Sequence, residues 1–238
     1  MNPSYVSSLS SSIKNYKYEP NDEEEQDRMD MWHHIYLLLL GGELYLAPIK
    51  NPQRVLDLGT GTGIWAIQFA DEHPSAQVIG TDLSPIQPKW VPTVYLKLMT
   101  LRQTGYISPS LTLSMAAENL HFLAKNLRIA GDIFGKSFEK VFFWKEKMEK
   151  AGFINVKETV KKVPIGTWPK DPKMKEIGMF HLEAQFQGIE SYTPALFSRV
   201  LGWSNTELQA LLAKARNELK DRSIHLYANI YFVYGQKP

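Results

Sequence analysis

Apolar positions along the chain fall either in short continuous runs or in longer stretches with helical spacing, which predicts an alternation of strands and helices. The predicted strands cover residues 54–58, 77–81, 93–101, 153–162 and 224–234. The predicted helices cover 21–40, 63–71, 114–129, 138–150, 174–188, 194–201 and the apolar stripe after the capping box of Ser204 and Glu207. This alternation is typical of an α/β fold with a mostly parallel sheet and helices on both faces.

The length of 238 residues suits a single domain. Residues 1–17 are rich in Ser, Asn and Tyr and have little periodicity, so we predict a mobile tail there. The domain is then expected to span 18–238, with the helix at 21–40 as an N-terminal cap. Asp22, Glu23 and Glu25 place negative charge at the start of that helix, where the helix dipole favours it.

The stretch from Val55 to Gly63 carries the clearest functional signal. An apolar strand ends near Asp57 and passes through Gly59, Gly61 and Gly63 into a helix. Glycine allows the backbone angles of a tight strand-to-helix turn and lets a ligand lie against the main chain. Asp82 ends the next strand, 19 residues after Gly63, close to the spacing of about 20 expected for an acid that binds a ribose. The pattern predicts a Rossmann-like nucleoside site.

Asp57 distinguishes between two classes of cofactor. A carboxylate at this turn repels the pyrophosphate of NAD or FAD, whereas it attracts the sulfonium and ammonium groups of S-adenosylmethionine. A dinucleotide remains an alternative, because Gly61, Gly63 and Ala66 fit the looser G-x-G-x-x-A pattern. A tight turn that binds no ligand is the other alternative. The predicted cofactor-binding residues are Asp57, Gly59, Thr60, Gly61, Gly63, Asp82 and Leu83.

Composition excludes several other functions. The net charge of +2, without a dense basic patch, argues against nucleic-acid binding. The absence of cysteine excludes disulfides, thiolate nucleophiles and zinc–sulfur sites, and the histidines show no metal-ligand spacing. The longest apolar run near the N-terminus, 35–40, is too short to cross a bilayer, so we expect no membrane partner and a cytoplasmic or nuclear location.

Several segments resemble the fungal methyltransferases related to the secondary-metabolism regulator LaeA. They are Pro20 to Arg28, His33-His34, the glycine turn, Ala151-Gly152-Phe153, Pro164 to Pro172, Leu201 to Ser204 and Tyr234 to Pro238. The likeness covers roughly 18–92 and 138–238. It implies a class I, seven-stranded fold that binds S-adenosylmethionine through the glycine turn and the acid after the second strand, which are Asp57, Gly59, Gly61, Gly63 and Asp82 here.

The middle of the chain departs from that family. No acidic residue occurs from Leu83 to Met115, although the family places an acid for the adenine after its third strand, and no Pro-Gly-Gly turn occurs anywhere. Residues 83–150 are also too few for three strands with their crossovers. We therefore expect a sheet reduced by one to three central strands and weakened cofactor binding. The first strand is expected either to pair with a non-native neighbour or to have an open edge.

Three functional hypotheses follow. The first is an S-adenosylmethionine-dependent methyltransferase that acts in or regulates secondary metabolism, with a small-molecule acceptor or a protein partner. The second is a catalytically impaired relative that acts through protein partners, with the N-terminal helix as a docking element. The third is a nicotinamide-dependent enzyme. His33 and His34 are weak catalytic candidates, because burial of one and exposure of the other explains them better than catalysis does. His225 is expected on the buried final strand.

Overall fold

A computed structural model of the chain describes residues 22–88, 94–98, 110–112, 117–134 and 143–238. The predicted tail at 1–17 lies outside these ranges. The described helices are α1 (Glu23–Leu40), α2 (Ile64–Glu72), α3 (Glu118–Ile133), α4 (Trp144–Lys150), α5 (Pro172–Ala195) and α6 (Asn205–Lys220). The described strands are β1 (Arg54–Leu58), β2 (Gln77–Asp82), β3 (Val94–Leu98), β4 (Ser110–Thr112), β5 (Ile154–Pro164) and β6 (Tyr227–Gln236).

The N-terminal half contains a parallel sheet of order β1-β2-β3. Val55 lies opposite Val78 and Asp57 opposite Gly80, so the carboxyl ends of β1 and β2 meet at one edge. Helix α2 connects these two strands and packs its buried Phe69 and Ala66 against Val78. A parallel crossover of this kind places the turn after β1 directly above the sheet edge, where ligands of open α/β folds bind.

The C-terminal half contains a separate antiparallel sheet of order β4-β6-β5. Helices α1 and α5 cover it, and Ile35, Ile177 and Ile230 form the centre of the shared core. The final strand lies between two partners in this sheet, as its nearly all-apolar sequence predicts. Leu37 of α1 packs instead on the core of the parallel half, so this helix joins the two sheets.

Helices α3, α5 and α6 enclose a third core around the fully buried Leu212 and Phe197. Ser204 caps α6, and Glu207 completes the capping box that the sequence predicts. The predicted helices at 174–188 and 194–201 are continuous instead: α5 runs to Ala195 and passes into a π-helical turn at Leu196–Val200. His225 precedes β6 on an exposed turn and stacks on Trp168, so its expected burial in the strand was wrong.

The sheets correct one part of the predicted architecture. Three strands are parallel, but the others form their own antiparallel sheet, and the described residues contain no strand that joins β1 to β4. The third parallel strand, predicted over 93–101, is present at Val94–Leu98. The described residues thus hold six strands, where the resemblance implies seven.

Strand β1 shows the consequence of this division. It lies at the edge of its sheet, and Leu56 and Leu58 are 56% and 59% exposed. Both faces of a central parallel strand are normally covered, so its leucine side chains are buried. The expected open edge is therefore present in the described part of the chain.

Candidate functional site

The turn after β1 has the backbone geometry that its glycines suggest. Gly59, Gly61 and Gly63 have φ angles of 78°, 56° and 88°, in the left-handed region that favours glycine. The N–H groups of Gly59 and Thr60 donate to the carbonyl oxygen of Thr81 at 2.7 and 3.0 Å. These bonds attach the turn to the end of β2, so the turn and the second acid are held as one unit.

Asp57 lies half-buried under this turn. Its Oδ2 accepts a hydrogen bond of 2.7 Å from the hydroxyl of the buried Thr60. Burial raises the pKa of Asp57; the Thr60 bond and His33 lower it, and the nearby charge of Asp82 raises it further. A desolvated carboxylate beside a second carboxylate is stabilised by any cation that binds between them.

Asp82 closes the other side of the turn. Its Oδ2 accepts from the N–H of Gly61 at 2.9 Å, and its Oδ1 accepts from the N–H of Ser84 at 2.9 Å. Each carboxylate oxygen has a second lone pair, so both can still accept a hydrogen bond from a ligand hydroxyl. The adjacent Leu83 is 36% exposed and offers an apolar surface beside the acid.

Helix α1 packs over the turn. A Cβ on Gly61 would lie 3.0 Å from Met29 Sδ, so this helix packs directly against the bare main chain. The hydroxyl of Thr62 donates to Asp30 Oδ1 at 2.6 Å. The turn therefore has carboxylates on two sides, from the ends of β1 and β2 and from the helix above.

The two candidate histidines on α1 differ in position. His33 is 9% exposed, and its Nε2 lies 2.8 Å from Gln68 Oε1 on α2. Since that oxygen only accepts, His33 Nε2 carries the proton. His34 is exposed and packs edge-on to Phe180, with 4.7 Å between the ring centroids. One histidine is thus buried near the turn and the other is exposed, which is the arrangement expected if neither is catalytic.

A buried ionic cluster holds α1 in place. Glu25 is 2% exposed and accepts from Arg28 Nε at 2.8 Å and from the hydroxyl of Tyr192 on α5 at 2.7 Å. Arg28 also donates to Tyr192. The acidic run at the start of α1 therefore both caps the helix, through Asp22, and anchors it to α5.

Asp30, Gln68 and Gln87 were missed by sequence reasoning. Gln87 donates to the carbonyl oxygens of Gly61 and Ser84, at 2.7 Å each, and closes the loop after β2 over the turn. Asp30 lies on α1, and Gln87 lies in the loop after β2. No short-range pattern marks the bonds of Asp30 to Thr62, Gln68 to His33 and Gln87 to Gly61, because these partners lie 26 to 35 positions apart.

A positive-φ glycine turn between two parallel strands, with a carboxylate on each strand end, defines a Rossmann-like nucleoside site. Residues 31–187 match a family model described as a methyltransferase domain, and the chain belongs to that family of S-adenosylmethionine-dependent methyltransferases. Among the described residues, no group of three or more His, Asp or Glu side chains is placed to hold a metal. Within the same ranges, no helix is long and apolar enough to cross a membrane.

The chain is similar over nearly its whole length to fungal proteins of the predicted kind. It is 30% identical to methyltransferase pytC of Aspergillus terreus, over 99% of this chain and 92% of that protein. It is 29% identical to the secondary metabolism regulator LAE1 of Cochliobolus heterostrophus, over 94% and 90%. It is 25% identical to the protein-methionine methyltransferase laeA of Emericella nidulans, over 92% and 72%. The LaeA-like resemblance is confirmed.

The alignment with methyltransferase pytC covers 298 positions, whereas this chain has 238 residues, so at least 60 positions of that alignment have no residue here. Among solved structures, the chain is similar to phosphoethanolamine N-methyltransferase 2 of Haemonchus contortus, with S-adenosyl-L-methionine, at 18% identity and a TM-score of 0.42. That match covers 87% of this chain and 53% of the other.

Proposed function

We propose that this chain binds S-adenosylmethionine at the turn of Gly59, Gly61 and Gly63 and transfers its methyl group to an acceptor in, or regulating, secondary metabolism. One observation carries the proposal: the carboxylates of Asp57 and Asp82 flank the same turn and interact electrostatically. This arrangement attracts the sulfonium and ammonium groups of S-adenosylmethionine and repels a pyrophosphate. The names of the relatives, methyltransferases and secondary metabolism regulators, support the assignment to secondary metabolism.

Each residue of the site has a distinct role in this proposal. The three glycines bring bare main chain against the ligand, and Asp82 accepts the ribose hydroxyls with its remaining lone pairs. Asp57, held by Thr60, balances the positive end of the cofactor. Leu83 packs against the adenine. No acid follows at the adenine edge in 83–115, so binding rests on the ribose and the methionine end and is expected to be weakened.

S-adenosylmethionine supplies an electrophilic methyl group on a sulfonium when it is bound. The protein's contribution is chiefly to position an acceptor atom in line with that methyl group and to exclude water. His33 is the candidate closest to the turn for accepting a proton from the acceptor; its Nδ1 is the nitrogen available for this, since Nε2 is bonded to Gln68. The neighbouring His34, which is exposed and packs on Phe180, serves as its matched control.

Isothermal titration with S-adenosylmethionine tests the binding site. We expect saturable binding to the wild-type chain and loss of binding in Asp82→Ala. The control is Asp71→Ala, an exposed acid on α2, which should leave the affinity unchanged. The site is misassigned if Asp82→Ala binds as tightly as the wild type, and the proposal fails if the wild type binds NAD instead.

The pH dependence of binding tests the role of Asp57. Because its pKa is raised, Asp57 takes up a proton at a higher pH than an ordinary carboxyl group as the pH falls. Cofactor affinity should therefore decrease on acidification, and Asp57→Asn should bind more weakly with a flatter pH profile. An unchanged profile in Asp57→Asn would show that this carboxylate does not face the cation.

A second candidate is a catalytically impaired relative that acts through protein partners. The open edge of β1, with Leu56 and Leu58 exposed, favours it, and so do the at least 60 aligned positions without a residue in this chain. Helix α1 buries Ile35 in the core, so a partner that docks on this helix has only its exposed side available. Incubation with S-adenosylmethionine carrying a tritiated methyl group, in fungal extract, separates the two: label on an acceptor supports the enzyme, and cofactor binding without transfer supports the second candidate.

A further inference from the structure

A cleft lies between helix α1, residues 43–47, the start of α2 and the final strand β6. Its volume is about 340 Å³, within the range of sites that hold small ligands. It passes between the parallel half, which contributes Trp65, and the antiparallel half, which contributes Phe232 and Tyr234. It is therefore a feature of how α1 bridges the two sheets.

The lining of the cleft is mainly aromatic and aliphatic. The rings come from both halves of the molecule, and the aliphatic side chains come mostly from α1 and the segment after it. The Phe, Tyr and Trp members are Tyr36, Tyr45, Trp65, Tyr231, Phe232 and Tyr234. Flat rings that face a common space at several angles offer stacking and edge-to-face contacts to another planar group.

Among the lining residues of the cleft, one side chain is acidic, that of Glu43. Glu43 lines its rim, is exposed, and has no hydrogen bond or ion pair with any described residue. No Lys or Arg is among the lining residues. Burial raises the pKa of the Tyr36 hydroxyl to about 12, so that group is neutral at physiological pH. The tyrosine hydroxyl of Tyr45 is already bonded to His73 Nε2, at 3.1 Å. Neutral and cationic ligands are favoured here over anions.

The cleft also adjoins the glycine turn. Trp65 is the second residue of the helix that starts at Ile64, directly after Gly63. His33 lines the cleft and interacts electrostatically with Asp57 below the turn. A molecule in the cleft therefore lies beside the proposed cofactor site.

We infer that this cleft binds the methyl acceptor, and that the acceptor is a planar, largely apolar aromatic small molecule that is neutral or carries an amine. This inference deepens the proposed function: the ligand is a methyl acceptor only if the chain is a methyltransferase. Binding of the ligand to the cleft does not itself require the cofactor. An extended peptide is the rival occupant, since the described residues give β6 no second strand partner after Asn229.

Three naphthalene probes of equal ring size test the occupant: 2-naphthylmethylamine, 2-naphthalenemethanol and 2-naphthoate. Isothermal titration without cofactor should show one site, with the amine binding about fivefold tighter than the alcohol, as expected for one exposed charge pair, and the carboxylate weakest. Glu43→Gln should remove the preference for the amine and leave the alcohol unchanged. The control Glu149→Gln, an exposed acid on α4, should keep the wild-type order.

Filling the cleft supplies the second test. Ala47 lines it, so Ala47→Trp should weaken all three probes at least about tenfold, whereas Ala213→Trp on the exposed face of α6 should not. Equal binding in both variants, no binding of any probe, or binding only of an extended peptide would overturn the inference. Binding of S-adenosylmethionine without any probe binding leaves the proposed function intact, and the reverse result removes that function but not the cleft.

Discussion

His181 makes the stability of the protein depend on pH in a way that the structure specifies. Its side chain is fully buried on α5, and Nδ1 lies 2.9 Å from the carbonyl oxygen of Pro164. A carbonyl only accepts, so Nδ1 carries the proton and the other nitrogen accepts from Gln185, at 3.2 Å. Burial lowers the pKa of His181 to about 4, although the Pro164 bond raises it in part.

The unfolded chain binds a proton at this histidine with the ordinary pKa of about 6.5, whereas the folded protein resists it until pH 4. Stability is therefore fully present above about pH 6.5 and is lost as the pH falls toward 4. Linkage between these two values gives a loss of about 2 kcal/mol between pH 7.5 and pH 5.0. Neutral His181 is thus a source of acid sensitivity.

Urea unfolding followed by circular dichroism at both pH values measures this loss. The variant His181→Gln should be less stable at pH 7.5, but its loss on acidification should be about 2 kcal/mol smaller than that of the wild type. Contributions of other groups, Asp57 among them, cancel in this difference. The exposed His34→Gln is the control and should retain the wild-type loss. The reasoning is refuted if His181→Gln and the wild type lose the same free energy.

Three further predictions concern packing. A Cβ at Gly178 would lie 2.1 Å from a backbone carbonyl oxygen, so Gly178→Ala should lower the free energy of unfolding by about 3 kcal/mol. Gly188 lies in open space on the same helix, and Gly188→Ala should raise that free energy by up to about 1 kcal/mol. Equal effects of the two substitutions would contradict the geometry. Glu218 accepts from the N–H of Leu120 at 2.8 Å and caps α3, so Glu218→Ala should cost about 2 kcal/mol in thermal or urea unfolding. Leu58→Lys should cost less than about 0.5 kcal/mol, and a large loss would mean that the edge of β1 is covered.

The local parts of the site follow from the sequence because their causes are local. Positive φ at Gly61, the acid at the end of β2, and the Ser204 capping box each depend on residues within a few positions of one another. Periodicity likewise predicts α6 and β6, since each buries one dominant apolar surface. The order of β1 and β2 follows from the short crossover between them.

The non-local parts do not follow. The role of Asp30 depends on Thr62, and the anchoring of Glu25 depends on Tyr192, 167 positions away. The described residues contain no strand that joins the two sheets. Hydrophobic patterns predict the strands that are present, but they do not predict which of these strands pair with each other. The helical spacing of apolar residues predicts α1, but it does not show that this helix packs on both halves.

The same division explains how a reduced sheet can keep a cofactor site. The hydrogen bonds that shape the turn connect β1, β2, α1 and the loop at 82–87, and none of them reaches β4, β5 or β6. The donor half of the site is thus built from one continuous segment. The proposed acceptor cleft instead depends on how α1 positions β6 relative to Trp65, since both line it. Loss of a central strand therefore acts first on the acceptor side, so cofactor binding should survive changes to β6 that abolish methyl transfer.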